Sequence, residues 1–186
     1  MQFQILVYTH GKSEFRLVAA HHHMGLAYLA YRCYEQAIDH LTLALKKNSK
    51  LTHLQQTKLY HSVLLTSLSK CYFEIASYDD ALEVLGRALE IQAVSYKELN
   101  EEGKVNVETL RLTACCHLKL KNPKKAHEYI KSALEYSRLA FGEKSIEVAK
   151  LKAETGKIFF EEKNYECAIE ELNGAIGTAL SFRNAD

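Results

Sequence analysis

Residues that interrupt helices are scarce in this sequence. Its 186 residues include one proline, eight glycines and no tryptophan. Because Pro and Gly are the strongest helix breakers, the chain is predicted to be helical along nearly all of its length. No apolar run reaches the roughly 18 residues that a membrane-spanning helix needs. The short apolar patch at 5–8 has no basic segment before it, which is unlike a signal peptide.

An excess of one charge is also missing. Lysine and arginine number 24, aspartate and glutamate 23, and the formal net charge is +1. Such a balance does not favour binding to nucleic acid or to an anionic membrane. The five cysteines contain no Cys-x-x-Cys pair, so we expect a reducing, cytoplasmic compartment with Cys used as small core residues.

A pattern of an opening residue, Ala, an apolar residue and Ala recurs at steps of three, four and three. The four copies are Tyr34, Ala37, Leu41 and Ala44; Tyr78, Ala81, Leu85 and Ala88; Pro123, Ala126, Ile130 and Ala133; and Tyr165, Ala168, Leu172 and Ala175. These steps place the side chains on one stripe of a helix. The two alanines are predicted to be small because another helix must approach closely there.

Each copy is preceded by a small residue and, three positions later, by an aromatic or His. The pairs are Gly25 and Tyr28, Ser69 and Tyr72, Ala114 and His117, and Gly156 and Phe159. We therefore predict that a first helix crosses each second helix tightly at the small residue. The helices are predicted at 13–31, 34–48, 58–76, 79–98, 104–120, 123–140, 144–162 and 165–181, with Pro123 opening its helix.

Together these spacings resemble the tetratricopeptide repeat family. The resemblance implies an all-α fold, a right-handed α-solenoid of antiparallel helix hairpins with about four repeats, in one array over 1–186. The repeats are placed at 18–51, 62–96, 107–141 and 149–182. The departures are the missing leading Trp, replaced by His21, Leu65, Leu110 and Lys152, and the missing Pro after the second helix. The copies recur at intervals of 42 to 45 residues, from Ala37 to Ala81, Ala126 and Ala168. The standard repeat has roughly 34 residues. The longer interval resembles that of the long repeats of kinesin light chains.

The segment Gly11-Lys12-Ser13 outlines a phosphate-binding loop. However, Leu6 occupies the position where that motif needs its first Gly. Gly11 lies fourteen residues before Gly25, as Gly142 lies fourteen before Gly156. The segment is therefore interpreted as a joint between repeats, where Gly ends one helix and Ser13 or Ser145 caps the next.

Residues 1–10 are then predicted to be the tail of an upstream repeat, which would make the chain a piece of a longer array. Its apolar residues, and the stripe of Leu172, Ile176 and Leu180 on the last helix, could join copies of the chain. Self-association, or assembly into a larger ciliary or microtubule-associated complex, is thus the alternative function, and sedimentation at several concentrations tests it.

The residues that could bind a metal, act in catalysis or contact nucleic acid have simpler structural explanations. His21, His22 and His23 are consecutive, so on a helix they point about 100° apart and cannot share one metal ion. Glutamates such as Glu161 and Glu162 are typical of a solvated helix face. The basic stretch 119–131 is typical of a polar hairpin tip. We expect no catalytic residue, cofactor, metal site or nucleic-acid partner.

The resemblance implies that a partner peptide or helix binds on the concave face of the first helices. The predicted contact residues are His22, Leu26, Lys70, Phe73, Arg111, Leu118, Lys157 and Phe160. The family's carboxylate-clamping Asn positions hold Leu26 and Lys70, so that clamp is not assembled. The remaining lining is predicted to be basic and aromatic and to suit an acidic segment with an aromatic residue. A non-enzymatic scaffold is therefore the favoured function, with a cilium or microtubule location as a further expectation from the resemblance.

Overall fold

The computed structural model describes residues 2–51, 55–98 and 107–183. Over these residues the chain is helical apart from short turns. The helices are α1 (Gln2–Ala30), α2 (Tyr34–Asn48), α3 (Gln55–Glu74), α4 (Tyr78–Glu98), α5 (Val107–Lys119), α6 (Pro123–Phe141), α7 (Ile146–Glu161) and α8 (Tyr165–Arg183). A 3₁₀ turn at Ser49–Leu51 follows α2. The described residues contain no strand, which confirms the all-α prediction.

Seven of the predicted helices agree with the structure to within about four residues. Pro123 opens α6 as predicted. Residues 104–106, which begin the predicted fifth helix, lie outside the described residues. Ser145 caps α7 by accepting a hydrogen bond from the Val148 N–H at 3.3 Å, and Gly142 ends α6 with a left-handed φ of 82°.

The predicted helix end at Gly11 is wrong. Helix α1 continues without interruption from Gln2 to Ala30, through Gly11, Lys12 and Ser13. Ser13 therefore caps no helix, and the backbone of this segment forms no loop that could cradle a phosphate. Residues 2–10 belong to the same helix as the first repeat, and their assignment to an upstream repeat stays a prediction.

All four hairpin turns have the same backbone geometry. The second turn residue has a φ between 56° and 62°: Arg32, Ala76, Lys121 and Lys163. In each turn the next N–H donates to the carbonyl of the aromatic or His of the first helix, for example Cys33 to Tyr28 at 2.9 Å and Asn164 to Phe159 at 2.9 Å. This bond satisfies a carbonyl that the helix end leaves open.

The chain divides into two compact units, Met1–Glu102 with α1–α4 and Gly103–Asp186 with α5–α8. In the first unit, a core cluster joins α2, α3 and α4 through Ala37, Leu41, Leu65, Leu68, Cys71, Val84 and Ala88. In the second unit, Ala126, Ile130, Ala133, Val148, Leu151 and Ile158 are almost completely buried. The assignment of 1–186 to a single array stays a prediction.

The small residues of the repeat lie where the helices touch. Ala37, Ala81 and Ala126 are fully buried. A Cβ added to Gly25 would lie 2.6 Å from Cγ of Leu41, and one added to Gly156 would lie 2.7 Å from Cγ of Leu172. In these two hairpins a leucine of the second helix thus lies directly on the glycine of the first, as the pattern predicted.

Within the described residues, none of the helices combines the length and apolar character that crossing a membrane would require.

Candidate partner-binding surface

All eight predicted contact residues lie on the first helices of their hairpins. His22 and Leu26 are on α1, Lys70 and Phe73 on α3, Arg111 and Leu118 on α5, and Lys157 and Phe160 on α7. Their exposure differs widely. Phe160 is 60% exposed and the Lys157 side chain 63% exposed, whereas Leu26, Lys70, Phe73, Arg111 and Leu118 are half-buried. His22 is only 7% exposed.

His22 is held between two hydroxyl groups of α3. Its Nδ1 lies 2.9 Å from Oη of Tyr60 and its Nε2 lies 2.9 Å from Oγ of Ser67. The Ser67 hydroxyl donates to the Val63 carbonyl at 3.0 Å, so it accepts from the His22 Nε2–H, and Nδ1 accepts from Tyr60. Both ring nitrogens are thus used within the protein, and His22 joins α1 to α3 rather than offering a ring nitrogen to a partner.

Burial lowers the pKa of His22 below its ordinary value of 6.5, and the nearby His23 and Lys70 lower it further. A proton on Nδ1 would also remove the acceptor of the Tyr60 hydroxyl. The unfolded chain therefore takes up this proton at a higher pH than the folded chain does. Consequently, the contribution of neutral His22 to stability is present above pH 6.5 and decreases as the pH falls through 6.5.

We expect that replacing His22 by Gln makes stability less sensitive to acid. Gln retains hydrogen-bonding groups but does not titrate, so the variant should lose less free energy of unfolding than the wild type between about pH 7.5 and about pH 5. Urea unfolding at several pH values, followed by circular dichroism, measures the two slopes. The matched control is His23→Gln, which is exposed and should keep most of the wild-type slope, because the buried His22 remains. Equal slopes for all three proteins would contradict this role of His22.

The three consecutive histidines diverge, as predicted. His21 turns to α2, where its Nδ1 lies 3.1 Å from Nδ1 of His40, and the His40 ring stacks on Tyr28. His22 turns to α3, and His23 is exposed and stacks on the His22 ring. These side chains join α1 to both of its neighbouring helices.

A network of alternating charges covers the corresponding face of the second unit. Arg111 donates two hydrogen bonds to Glu108, at 2.8 and 3.0 Å. Its Nη1 also lies 3.9 Å from Oε1 of Glu154 on α7, and Lys157 donates to the same oxygen at 3.1 Å. Each of the two cations thus lies beside a carboxylate, and the charges alternate along this face.

Cys115 lies within this network. Its Sγ is 3.9 Å from Nη1 of Arg111 and 4.0 Å from Oε2 of Glu154. Burial and the Glu154 carboxylate raise the pKa of the thiol to about 11, against the opposing effect of Arg111. Cys115 is therefore a neutral thiol at physiological pH, and thiols in that state are poor nucleophiles.

Sequence reasoning missed three residues of this surface: Glu154, Tyr60 and Ser67. A sequence signal existed for Glu154, because it precedes Lys157 by three positions on one helix. Tyr60 and Ser67 carry no such signal, because they meet His22 only through the packing of α3 on α1.

The last helix has an exposed apolar stripe. Ile169 is 60%, Ile176 59%, Leu180 49% and Leu172 39% exposed. The equivalent positions of α2, Ile38 and Leu45, pack against the core cluster that includes Leu65 and Leu68 of α3. Self-association through the stripe stays a prediction.

The fold is that of helical-repeat proteins. The structure is similar to BtubC (BKLC) from P. vanneervenii, with a TM-score of 0.78 and 18% identity over 96% of this chain and 68% of that one. It is also similar to the apo form of RapI, with a TM-score of 0.73 and 18% identity over 90% of this chain and 44% of that one. A MamA RS-1 double mutant gives a TM-score of 0.62 and 15% identity over 91% of this chain and 78% of that one. No family model and no curated protein matches the sequence.

Proposed function

We propose that this chain is a non-catalytic scaffold that binds a segment of a partner protein on the exposed faces of its first helices. The observation that carries the proposal is Phe160, an aromatic side chain that is 60% exposed on a first helix, one turn from the exposed Lys157. Aromatic side chains are enriched at protein interfaces and among the residues that supply most of the binding energy. The helical-repeat fold supports the proposal, because stacked hairpins present an extended surface.

The chemistry of this surface selects the partner. Phe160 packs edge-on against Tyr165, with ring centroids 5.7 Å apart, so the two rings form one apolar patch. Lys157 shares the Glu154 carboxylate with Arg111 and leaves most of its side chain in solvent. We therefore expect the partner segment to place an apolar or aromatic residue on Phe160 and an acidic residue beside Lys157.

A matched pair of phenylalanines tests the proposal. Phe160 on α7 and Phe141 on α6 are 60% and 57% exposed, but only Phe160 lies on a first helix. The three proteins are used to capture partners from a cell extract. Phe160→Ala is expected to miss at least one protein that the wild type and Phe141→Ala both capture. The affinity for that protein should fall by about thirtyfold or more, since a central aromatic contact contributes about 2 kcal/mol or more.

Folding is the control for this experiment. Both variants remove an exposed ring, so both should unfold within about 0.5 kcal/mol of the wild type. Identical captured proteins from wild type and Phe160→Ala would contradict the assignment of this face. A cytoplasmic location, and the cilium or microtubule location, stay predictions.

A further inference from the structure

A cleft of about 460 Å³ lies in the first unit, among α2, α3 and α4. This volume is within the range of pockets that bind small molecules or a few residues of a peptide. Its apolar floor is formed by Leu45, Leu65, Leu68 and Val84. The floor is rigid, because Leu65, Leu68 and Val84 are nearly or completely buried and belong to the core cluster of this unit.

The cleft has opposite charges toward its two ends. Helices α2 and α4 both run antiparallel to α3, so Lys46, Arg87 and His61 line one end and Asp80, Glu83 and Tyr72 line the other. Burial lowers the pKa of His61, and the nearby Arg87 guanidinium lowers it further. Among the described side chains, neither Lys46 nor Arg87 forms an ion pair with a carboxylate. Asp80 accepts a hydrogen bond from the Ser77 hydroxyl but keeps its charge. The cleft therefore offers charges of both signs to a ligand.

The distance between the charges sets the length of the ligand. Asp80 and Arg87 are seven residues apart on α4, and at about 1.5 Å per residue this corresponds to roughly 10 Å. A peptide in the polyproline II conformation advances about 3.1 Å per residue with three residues per turn, so side chains three positions apart lie on the same face and span roughly 9 Å.

This cleft is separate from the proposed partner-binding surface. On α3 the cleft residues 61, 65, 68 and 72 form one stripe. At about 100° per residue, Lys70 points roughly 170° away from this stripe and Phe73 roughly 110° away. A ligand in the cleft and a partner on the first-helix surface would therefore occupy opposite sides of α3.

We propose that this cleft binds an extended segment of a partner protein in which an acidic and a basic residue stand three positions apart and flank apolar residues. The acidic residue contacts Lys46 and Arg87, the apolar residues cover the leucine floor, and the basic residue contacts Asp80 and Glu83. The opposite ends of the cleft fix the direction in which the segment binds. The chain would then hold two protein segments at once, one on each side of α3.

Three short peptides test this proposal with the full chain. The probes are acetylated and amidated Glu-Leu-Leu-Lys, Lys-Leu-Leu-Lys and Glu-Leu-Leu-Glu, titrated into isotope-labelled protein and followed by NMR. We expect the mixed peptide to bind more tightly than either same-sign peptide and to shift the signals of Tyr72, Leu68 and Leu45. Arg87→Glu should weaken the mixed peptide by about tenfold and make Lys-Leu-Leu-Lys the tightest binder. Arg16→Glu, which changes the same charge on α1 outside the cleft, should leave the order unchanged.

Several results would overturn the proposal. They are equal affinities for the three peptides, shifts confined to Phe73 and its neighbours, or displacement of the mixed peptide by inorganic phosphate alone, which would indicate a simple anion site. The result is independent of the Phe160 experiment, because Phe160 lies in the other unit.

Discussion

Replacing Gly156 by valine is expected to be among the most damaging single changes in this chain. The added Cβ would lie 2.7 Å from Cγ and 3.0 Å from Cδ2 of Leu172, and the Ala168 carbonyl oxygen at 3.2 Å blocks a shift to that side. Overpacking of this kind costs about 1–3 kcal/mol, and the two methyl groups of valine bring it to the upper end. Urea unfolding followed by circular dichroism measures the loss. Gly25→Val should lose at least as much, because Leu41 lies over Gly25 in the same way and is completely buried, whereas Leu172 is 39% exposed.

The matched control is Gly177→Val on α8. A Cβ at Gly177 meets nothing within 4 Å, and valine has a higher helix propensity than glycine. This variant should be as stable as the wild type or slightly more stable. If Gly156→Val and Gly177→Val had the same stability, α7 and α8 would not cross at Gly156.

Leu41→Ala is expected to lose about 2–5 kcal/mol of unfolding free energy, the range for removing a buried leucine side chain. Leu41 is completely buried, and it belongs to the core cluster that joins α2 to α3 and α4. Thermal and urea unfolding of the variant measure the loss. Leu43→Ala on the same helix is the control, because Leu43 is 38% exposed and should cost less than about 1 kcal/mol.

A double variant tests whether Leu41 and Gly25 are in contact. In the wild type, Gly25→Ala should destabilise because its Cβ meets Leu41 Cγ at 2.6 Å. In the Leu41→Ala background that atom is absent, so Gly25→Ala should become neutral or favourable by up to about 1 kcal/mol of helix propensity. Strictly additive effects of the two changes would show that the residues do not touch.

The repeat pattern predicted the helices because packing at the hairpins depends on local spacing. A small residue on the first helix and a leucine on the second come together where the two helices of a hairpin cross, as Gly25 and Leu41, and Gly156 and Leu172, do. The pattern failed at Gly11 for an equally local reason. Ser145 stands three residues after Gly142, so its N–H and hydroxyl both reach the Gly142 carbonyl, at 3.3 and 2.9 Å. Ser13 stands only two residues after Gly11, where that turn cannot close, and α1 continues.

The surface was less predictable than the fold. The helical register gave the face on which Lys157 and Phe160 lie, since every third or fourth residue shares a face. It did not give the pairing of Arg111 with Glu154, which depends on how closely α5 and α7 approach. For the same reason His22 was predicted from the sequence to contact a partner. In the structure its two ring nitrogens form hydrogen bonds with Tyr60 and Ser67 of α3.

Site-specific photo-crosslinking is the most direct test of whether a partner binds on the first-helix face. A benzophenone amino acid is placed at position 160 on the first-helix face, or at position 141 on α6, and the protein is irradiated in a cell extract. We expect that position 160 captures a defined protein through a short segment with an acidic residue, and that position 141 does not. The same products from both positions, or none from position 160, would contradict binding on the first-helix face.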